Sequence, residues 1–376
     1  MKILEITAFS AGICGVWTRV FAESKLLAKK DHEVYVLSSN AVKGSNETAI
    51  PFEEIEGIKI RRFPYKKLGG ESFMSWNFEK ELLELKPQVI IAHAYRHLHT
   101  TKALKLARKI NSKIFLVTHA PFIEDNSTRS FAGKLSVLFY DKFIASKTLN
   151  GFDKIIAITN WEKPYLLKLG VKEEKIVYIP NGIPDEFFKT KPKKGKNILF
   201  LGRVSPIKNL ESLIFAMSLV KNKKIKLDIV GPAENNYKEK LVVMIKEMKL
   251  EKRVRFYPPV FDLKQKIRLI DEHEIFVLPS KREAMPQALI EAKARGKIVI
   301  SSKSEGGKEM INNNEDGFLF EIDDYHKLAE IIDNITKMDL NEKARIQKNA
   351  LKSVEKFKWS YLIDKIEKLL QNSCKA

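Results

Sequence analysis

Two carboxylates at Glu283 and Glu291 stand in the run Pro279-Ser280-Lys281-Arg282-Glu283-Ala284-Met285-Pro286-Gln287-Ala288-Leu289-Ile290-Glu291. Glu283 falls in a loop after an apolar strand, and Glu291 about two turns into the helix that follows, so both can look into one cleft. A carboxylate accepts several hydrogen bonds and therefore grips pairs of sugar hydroxyls. The same pair could serve a glycosidase as acid and nucleophile, or be a helix-start acid and a surface acid. Gly202-Arg203-Val204-Ser205-Pro206-Ile207-Lys208 places a guanidinium and an ammonium just beyond another strand. A planar fork and a point charge could together neutralise a diphosphate, the alternative being two solvated cations.

Two glycine turns invite anions. Gly12-Ile13-Cys14-Gly15 follows a strand and opens a helix, where free N–H groups and the helix dipole favour negative charge. An ordinary strand-to-helix turn also favours glycine, and neither the six-residue dinucleotide fingerprint nor a phosphate-loop Gly-Lys-Ser is present. Ser304-Glu305-Gly306-Gly307-Lys308-Glu309 precedes another helix, and the backbone of Glu305, Gly306 and Gly307 is a candidate for sugar or phosphate contacts. His119 ends a strand and precedes Ala120-Pro121-Phe122, within reach of a donor sugar or diphosphate. His93 ends another strand and suits a core position. His97 and His99 are expected on a loop or helix surface. No Asp-x-Asp pair occurs, so no divalent-metal site of that kind is expected, and Arg203 and Lys208 would take the metal's place.

These residues need a scaffold, and 376 residues suggest two domains. Apolar strands alternate with helical stretches over Lys2–Thr7, 16–30, His32–Ser38, Val89–His93, Lys102–Ile110, Ile114–His119 and Ile155–Thr159. That alternation predicts a parallel sheet covered on both faces. It pauses at 179–192, rich in proline, and restarts with strands at Asn197–Gly202, Lys226–Gly231, Val254–Tyr257, Ile275–Pro279 and Ile298–Ser301. The expected organisation is a first α/β domain over 1–180, a linker over 181–195, a second α/β domain over 196–356 and a helix over 357–376 crossing back to the first. Two doubly wound sheets would face each other across a cleft.

Composition excludes some classes. A hydrophobic fraction of 44% supports two cores. The two cysteines, Cys14 and Cys374, fit no disulfide or metal spacing, so a reducing compartment is expected. Met1 leads straight into an apolar strand with no basic leader, and no apolar run reaches the length of a membrane span. A cytoplasmic location is therefore expected. The net charge of +20 is spread over both halves, +9 in 1–180 and +11 beyond. A lysine-rich surface or attraction to an anionic membrane or lipid-linked acceptor explains it. No zinc-finger, RNA-binding or basic-helix pattern accompanies it, so nucleic acid is not an expected partner. Segment 127–152 interleaves Phe131, Leu135, Leu138, Phe139 and Phe143 with Arg129, Lys134, Lys142 and Lys147, which suits a membrane surface or an ordinary domain helix.

Taken in order, the motifs resemble glycosyltransferase family 4, the retaining group with the GT-B fold. The glycine loop with the following His32-Glu33-Val34, Ile179-Pro180-Asn181-Gly182-Ile183 with Phe187, and Gly202-Arg203 with Lys208 match its pattern. So do Glu283-x7-Glu291, Glu305-Gly306-Gly307 with Asp316-Gly317-Phe318, and Phe357-Lys358-Trp359. The resemblance implies that Gly15, Arg203 and Lys208 contact the donor diphosphate. It puts His119 and Glu283 at the transferred sugar, Glu291 on the ribose, and the Glu305–Gly307 backbone near sugar and phosphates. It implies a nucleotide-diphosphate sugar donor, a glycan or lipid-linked acceptor, retention of anomeric configuration and no cofactor or metal. Soluble acceptors, or nucleotide-sugar binding without turnover, are the competing readings. Cys14, Asp31, Asn209, Pro258-Pro259 and Ala284-Met285-Pro286 depart from the family pattern.

Overall fold

The computed structural model describes residues 1–12, 14–122, 131–189 and 195–375. Arg129 lies outside them, as do the side chains of Phe131 and Lys134. The chain divides into two compact units, one of residues 1–182 with 359–376 and one of residues 183–358.

In the first unit, β1 (Lys2–Phe9), α1 (Gly15–Ala28) and β2 (Glu33–Ser39) lead into a short antiparallel excursion. It comprises β3 (Phe52–Ile55), β4 (Ile58–Phe63), β5 (Tyr65–Lys67) and β6 (Met74–Trp76), which the sequence pattern did not announce. Then come α2 (Glu79–Leu85), β7 (Val89–His93), α3 (Leu98–Lys109), β8 (Lys113–Val117), α4 (Phe131–Phe143), α5 (Ala145–Leu149), β9 (Lys154–Ala157), α6 (Glu162–Lys168) and β10 (Ile176–Tyr178). The sheet order is β10-β9-β8-β7-β1-β2-β4-β3, parallel except for the β3 edge. All five residues of β7 are buried, as expected of a parallel strand covered on both faces.

The second unit holds α7 (Glu186–Lys189), β11 (Ile198–Leu201), α8 (Leu210–Leu219), β12 (Leu227–Val230), α9 (Asn235–Glu247), β13 (Val254–Tyr257), α10 (Leu263–Asp271), β14 (Ile275–Leu278), α11 (Gln287–Ala294), β15 (Ile298–Ser302), α12 (Glu305–Met310), β16 (Phe318–Phe320), α13 (Tyr325–Lys337) and α14 (Leu340–Val354). Its six strands are all parallel, in the order β13-β12-β11-β14-β15-β16. Counted from β11 that is 3-2-1-4-5-6, the order of dinucleotide-binding α/β folds.

The unit boundary falls at 182/183, inside the stretch expected to be a linker. Residues 183–189 fold into the second unit. Ile183 N–H donates to Phe357 O at 2.8 Å, and fully buried Phe187 gives its carbonyl to Arg295 Nη1 at 3.0 Å. A buried aromatic anchor and paired backbone groups make this stretch part of a core. The last helix, α15 (Trp359–Lys375), belongs to the first unit. Its buried residues Trp359, Leu362, Ile363, Ile366 and Leu370 recur at helical spacing, and Lys30 and His32 meet its Glu367 at 2.8 and 2.9 Å.

Candidate active site

Parallel sheets of this order open a crevice beyond the strand C-termini, where neighbouring strands send their connections to opposite faces. In the second unit that point lies between β11 and β14. After β11 the chain passes Arg203, makes a 3-10 turn over Pro206–Lys208, and enters α8 through Asn209. Asn209 adopts a left-handed backbone with φ 53°, a conformation asparagine tolerates better than most residues. This explains how it replaces the family's usual glycine. Its side-chain amide also donates to Pro279 O at 3.2 Å, and Lys281 N–H donates to Ile207 O at 2.9 Å. The loops after β11 and β14 are thereby stitched together.

That stitching brings Lys208 Nζ to 2.6 Å from Glu283 Oε1, with both side chains partly accessible. Arg203 is exposed and has no ion-pair partner among the described residues. Glu291, only 5% exposed, receives Lys266 Nζ at 2.6 Å. Burial pushes the Glu291 carboxyl up, and Lys266 opposes the shift. Sequence reasoning missed Lys266 because it placed no helix at α10. The signal was there: Asp262 accepts Gln265 N–H at 2.8 Å as an N-cap, followed by an amphipathic run.

Ser304 caps α12 by accepting Gly307 N–H at 3.2 Å, and Gly306 N–H donates to Glu283 O at 2.9 Å. Two of the three expected backbone donors, Gly306 and Gly307, are therefore committed within the fold. Glycine is needed at 306, where a Cβ would sit 2.7 Å from Ala284 O and 2.9 Å from Glu283 O. The Glu305–Gly307 turn thus packs directly on the loop that carries Glu283.

In the first unit the corresponding point lies between β1 and β7. A cavity of about 220 Å³ opens there, lined by Thr7, Phe9, Cys14, Tyr95, His97 and His119 among others. Gly15 begins α1 beside it in open space, whereas Gly12, at φ 80°, must be glycine because a Cβ would lie 2.3 Å from Lys43 O. Four non-glycine residues with positive φ cluster at the ends of adjacent strands: Ala94 and Arg96 after β7, His119 and Ala120 after β8. Such strain persists only where the surroundings enforce it. After β8 buried Glu162 does so, accepting Ala120 N–H at 3.0 Å, Ile158 N–H at 2.8 Å, Thr159 N–H at 3.0 Å and the Thr118 hydroxyl.

Beneath His119 lies a chain of buried titratable groups. His119 Nε2 is 3.0 Å from His93 Nδ1, and His93 Nε2 is 2.5 Å from Glu5 Oε2. Alongside, Arg19 Nε donates to Glu23 at 3.1 Å, and Arg19 Nη1 donates to Ile179 O and Asn181 Oδ1. Burial drives the His93 imidazole down to about 3 and raises Glu5 to about 8 and Glu23 to about 7. His99 is not on a surface: it is 2% exposed, its Nε2–H donates to His93 O at 2.8 Å, and it packs on Trp76. His97 lines the cavity, its imidazole lowered to about 4 by burial. The sequence placed His99 outside the core because the β5–β6 ribbon that brings Trp76 against it was not foreseen.

Two doubly wound parallel units, each with its polar cluster at the switch point, make this a protein of the GT-B type. The chain belongs to the group 1 glycosyltransferases: residues 183–353 match the family described as "Glycosyl transferases group 1", and residues 13–187 match "Glycosyltransferase Family 4". It is a glycosyltransferase enzyme. It is similar to an uncharacterized glycosyltransferase of Haemophilus influenzae, 26% identical over 92% of this chain and 95% of that one. A Campylobacter jejuni protein is 25% identical over 91% of this chain and 90% of its own; it is named a GalNAc-alpha-(1->4)-GalNAc-alpha-(1->3)-diNAcBac-PP-undecaprenol alpha-1,4-N-acetyl-D-galactosaminyltransferase. In fold the chain matches Anabaena HepE, solved with UDP and glucose, with a TM-score of 0.75 and 19% identity over 99% of this chain and 100% of that one. No helix among the described residues is long and apolar enough to cross a membrane.

Proposed function

We propose that the protein is a retaining, metal-independent transferase that moves a hexosyl unit from a nucleotide-diphosphate sugar to a glycan or lipid-linked acceptor in cell-surface glycan synthesis. The observation that carries this reading is the convergence of Arg203, Lys208 and Glu283 at the β11/β14 switch point, with buried Glu291 on the adjoining helix. Arg203 and Lys208 hold the diphosphate, with Gly15 contributing from the start of α1. Glu283 binds sugar hydroxyls, Glu291 the ribose, and Glu305–Gly307 line the sugar side. His119 acts beside the sugar. The bond from the anomeric carbon to phosphate oxygen breaks while the acceptor oxygen bonds to the same face. The acceptor's proton passes to the departing phosphate oxygen, and the two cations stabilise the charge that develops there. They supply the electrostatic stabilisation that a divalent ion would otherwise give, and no cofactor is needed.

The acceptor end of the proposal draws on the relative that acts on an undecaprenol-linked glycan and on α4. Leu135, Leu138, Phe139 and Phe143 are each 58–66% exposed and recur at helical spacing, with Lys142 between them. A net charge of +20 adds attraction to an anionic leaflet, so the enzyme works at the cytoplasmic face of a membrane.

A panel of UDP-, GDP- and ADP-sugars, assayed for hydrolysis and thermal stabilisation with and without EDTA, tests the reading. At least one donor stabilises and turns over with EDTA present. Loss of turnover in EDTA, restored by a divalent ion, contradicts the metal-independent mechanism. Transfer to free sugars but never to polyprenyl-linked acceptors contradicts the lipid-linked assignment.

A further inference from the structure

One buried group in the first unit is left without a task by this reaction: Glu5, at the middle of β1 and fully buried, far more costly to ionise than to keep neutral. Its Oε2 touches His93 Nε2 at 2.5 Å, while its other oxygen has no protein partner. The nearby charges are Arg19 and Glu23 of α1, with His97 and His99 as the further titratable neighbours beyond His93 and His119. Arg19 is bonded to Glu23 at 3.1 Å and not to Glu5. One guanidinium balances one carboxylate, so the second acid in this sealed space holds its proton.

We infer that Glu5 and His93 are positioning residues whose hydrogen-bond chain fixes the tautomer of His119, so that His119 offers Nδ1–H as a donor into the cavity it lines. The polarity follows link by link. Protonated Glu5 donates from Oε2 to His93 Nε2. The His93 proton then sits on Nδ1 and donates to His119 Nε2. The His119 proton is left on Nδ1, which has no partner among the described residues. Ionising Glu5 reverses every link: the carboxylate accepts from His93 Nε2–H, His93 Nδ1 accepts from His119 Nε2–H, and His119 Nδ1 becomes an acceptor. A single proton two residues deep thus decides whether His119 gives or takes a hydrogen bond. Burial puts the Glu5 carboxyl up at about 8, so the donor form holds at neutral pH and is lost above it. For catalysis the inference rests on the assignment of His119 to the sugar, where a donor to a sugar oxygen helps hold it.

Imidazole nitrogen-15 NMR on the full chain tests the tautomer without any substrate, the His119 signals being assigned by their loss in His119→Gln. At pH 7 the wild type shows a protonated Nδ1 and a bare Nε2 on His119. At pH 9.5 the two exchange roles. In Glu5→Gln, which cannot ionise, the His119 tautomer is the same at both pH values. A proton on Nε2 at pH 7, or a His119 tautomer in Glu5→Gln that tracks pH as in the wild type, overturns the relay. Kinetics provide the second readout. Between pH 7 and pH 9 wild-type kcat/KM falls about tenfold, following the protonated fraction of an acid near 8, whereas the ratio in Glu5→Gln changes by less than about twofold. Superimposable profiles contradict the role of Glu5. Because the NMR measurement needs no donor, failure of the proposed transferase reaction and failure of the relay are separable.

Discussion

The switch points of the two units are built from opposite electrostatic materials. In the second unit, cations and carboxylates meet in salt bridges, Lys208 with partly accessible Glu283 and Lys266 with buried Glu291, beside Arg203, which has no ion-pair partner among the described residues. In the first, desolvation lowers four histidines, His93 and His99 buried and His97 and His119 lining the cavity, and pushes the buried Glu5 carboxyl up, with one ion pair, Arg19 and Glu23, beside them. A partly accessible pair such as Lys208 and Glu283 suits an anionic ligand that must arrive and leave. Lysine can exchange a carboxylate for a phosphate at small cost, since partly exposed pairs are weak. A neutral, hydrogen-bonded cluster has no comparable freedom; it orients dipoles instead. Under the proposed reaction, the difference gives charge handling to one unit and hydrogen-bond direction to the other.

The comparison breaks most visibly at Lys208. Lys208→Ala removes a counter-charge from the departing diphosphate and frees Glu283, and should lower kcat/KM by about 10²–10³. A steady-state assay returning wild-type rates would remove Lys208 from the diphosphate. Next in size is Lys266→Met. Glu291, buried and then unpaired, takes up a proton and loses a charged acceptor, so donor KM should rise by about tenfold with kcat little changed; an unchanged KM would detach Glu291 from the donor.

A smaller effect separates the units by pH. The four histidines of this cluster, His93, His97, His99 and His119, have folded values depressed below their unfolded value of 6.5. Below pH 6.5 the unfolded chain therefore takes up protons that the native unit refuses, and stability is lost as pH falls toward 4. Glu5 and Glu23 are raised, to about 8 and about 7, so the stability they confer is full below 4.5 and is lost as pH rises through those values. The four histidines outnumber the raised acids Glu5, Glu23 and Glu162 on the acid side, and these acids dominate on the alkaline side. First-unit stability should peak near pH 6.5. All four tryptophans, Trp17, Trp76, Trp161 and Trp359, lie in the first unit, so fluorescence-detected thermal unfolding reads it selectively. A fluorescence melting temperature that is flat from pH 4.5 to 9 would refute the neutral-cluster account. Smallest, Leu138→Asp with Phe139→Asp should weaken cosedimentation with anionic vesicles at low salt several-fold and leave soluble-donor hydrolysis unaltered. Equal cosedimentation would remove α4 from the membrane.

Much of this was legible in the residues. Buried strands such as Val89–His93 and Ile275–Leu278 announce themselves by composition, and Arg203, Lys208, Glu283 and Glu291 follow from spacing behind them. The β3–β6 excursion was not legible, because strands of three to six residues with half-exposed faces carry little period. Lys266 escaped notice because a single lysine in a lysine-rich chain has no signal until its helix is placed. The Glu5–His93 contact joins residues 88 apart through strand pairing, which no local pattern encodes. The linker was misjudged because Pro180, Gly182 and Pro184 read as a break, whereas Phe187 anchors the stretch in the second core.

The central claim is that the β11/β14 switch point holds a nucleoside diphosphate through Arg203 and Lys208. Calorimetric titration of UDP, GDP and ADP in EDTA into the wild type and into Arg203→Ala with Lys208→Ala tests it directly. The account predicts binding of at least one diphosphate by the wild type and about 10²-fold weaker binding by the double variant, with fold retained by circular dichroism. Equal affinity in the two proteins, or no binding of any of the three by the wild type, would contradict it.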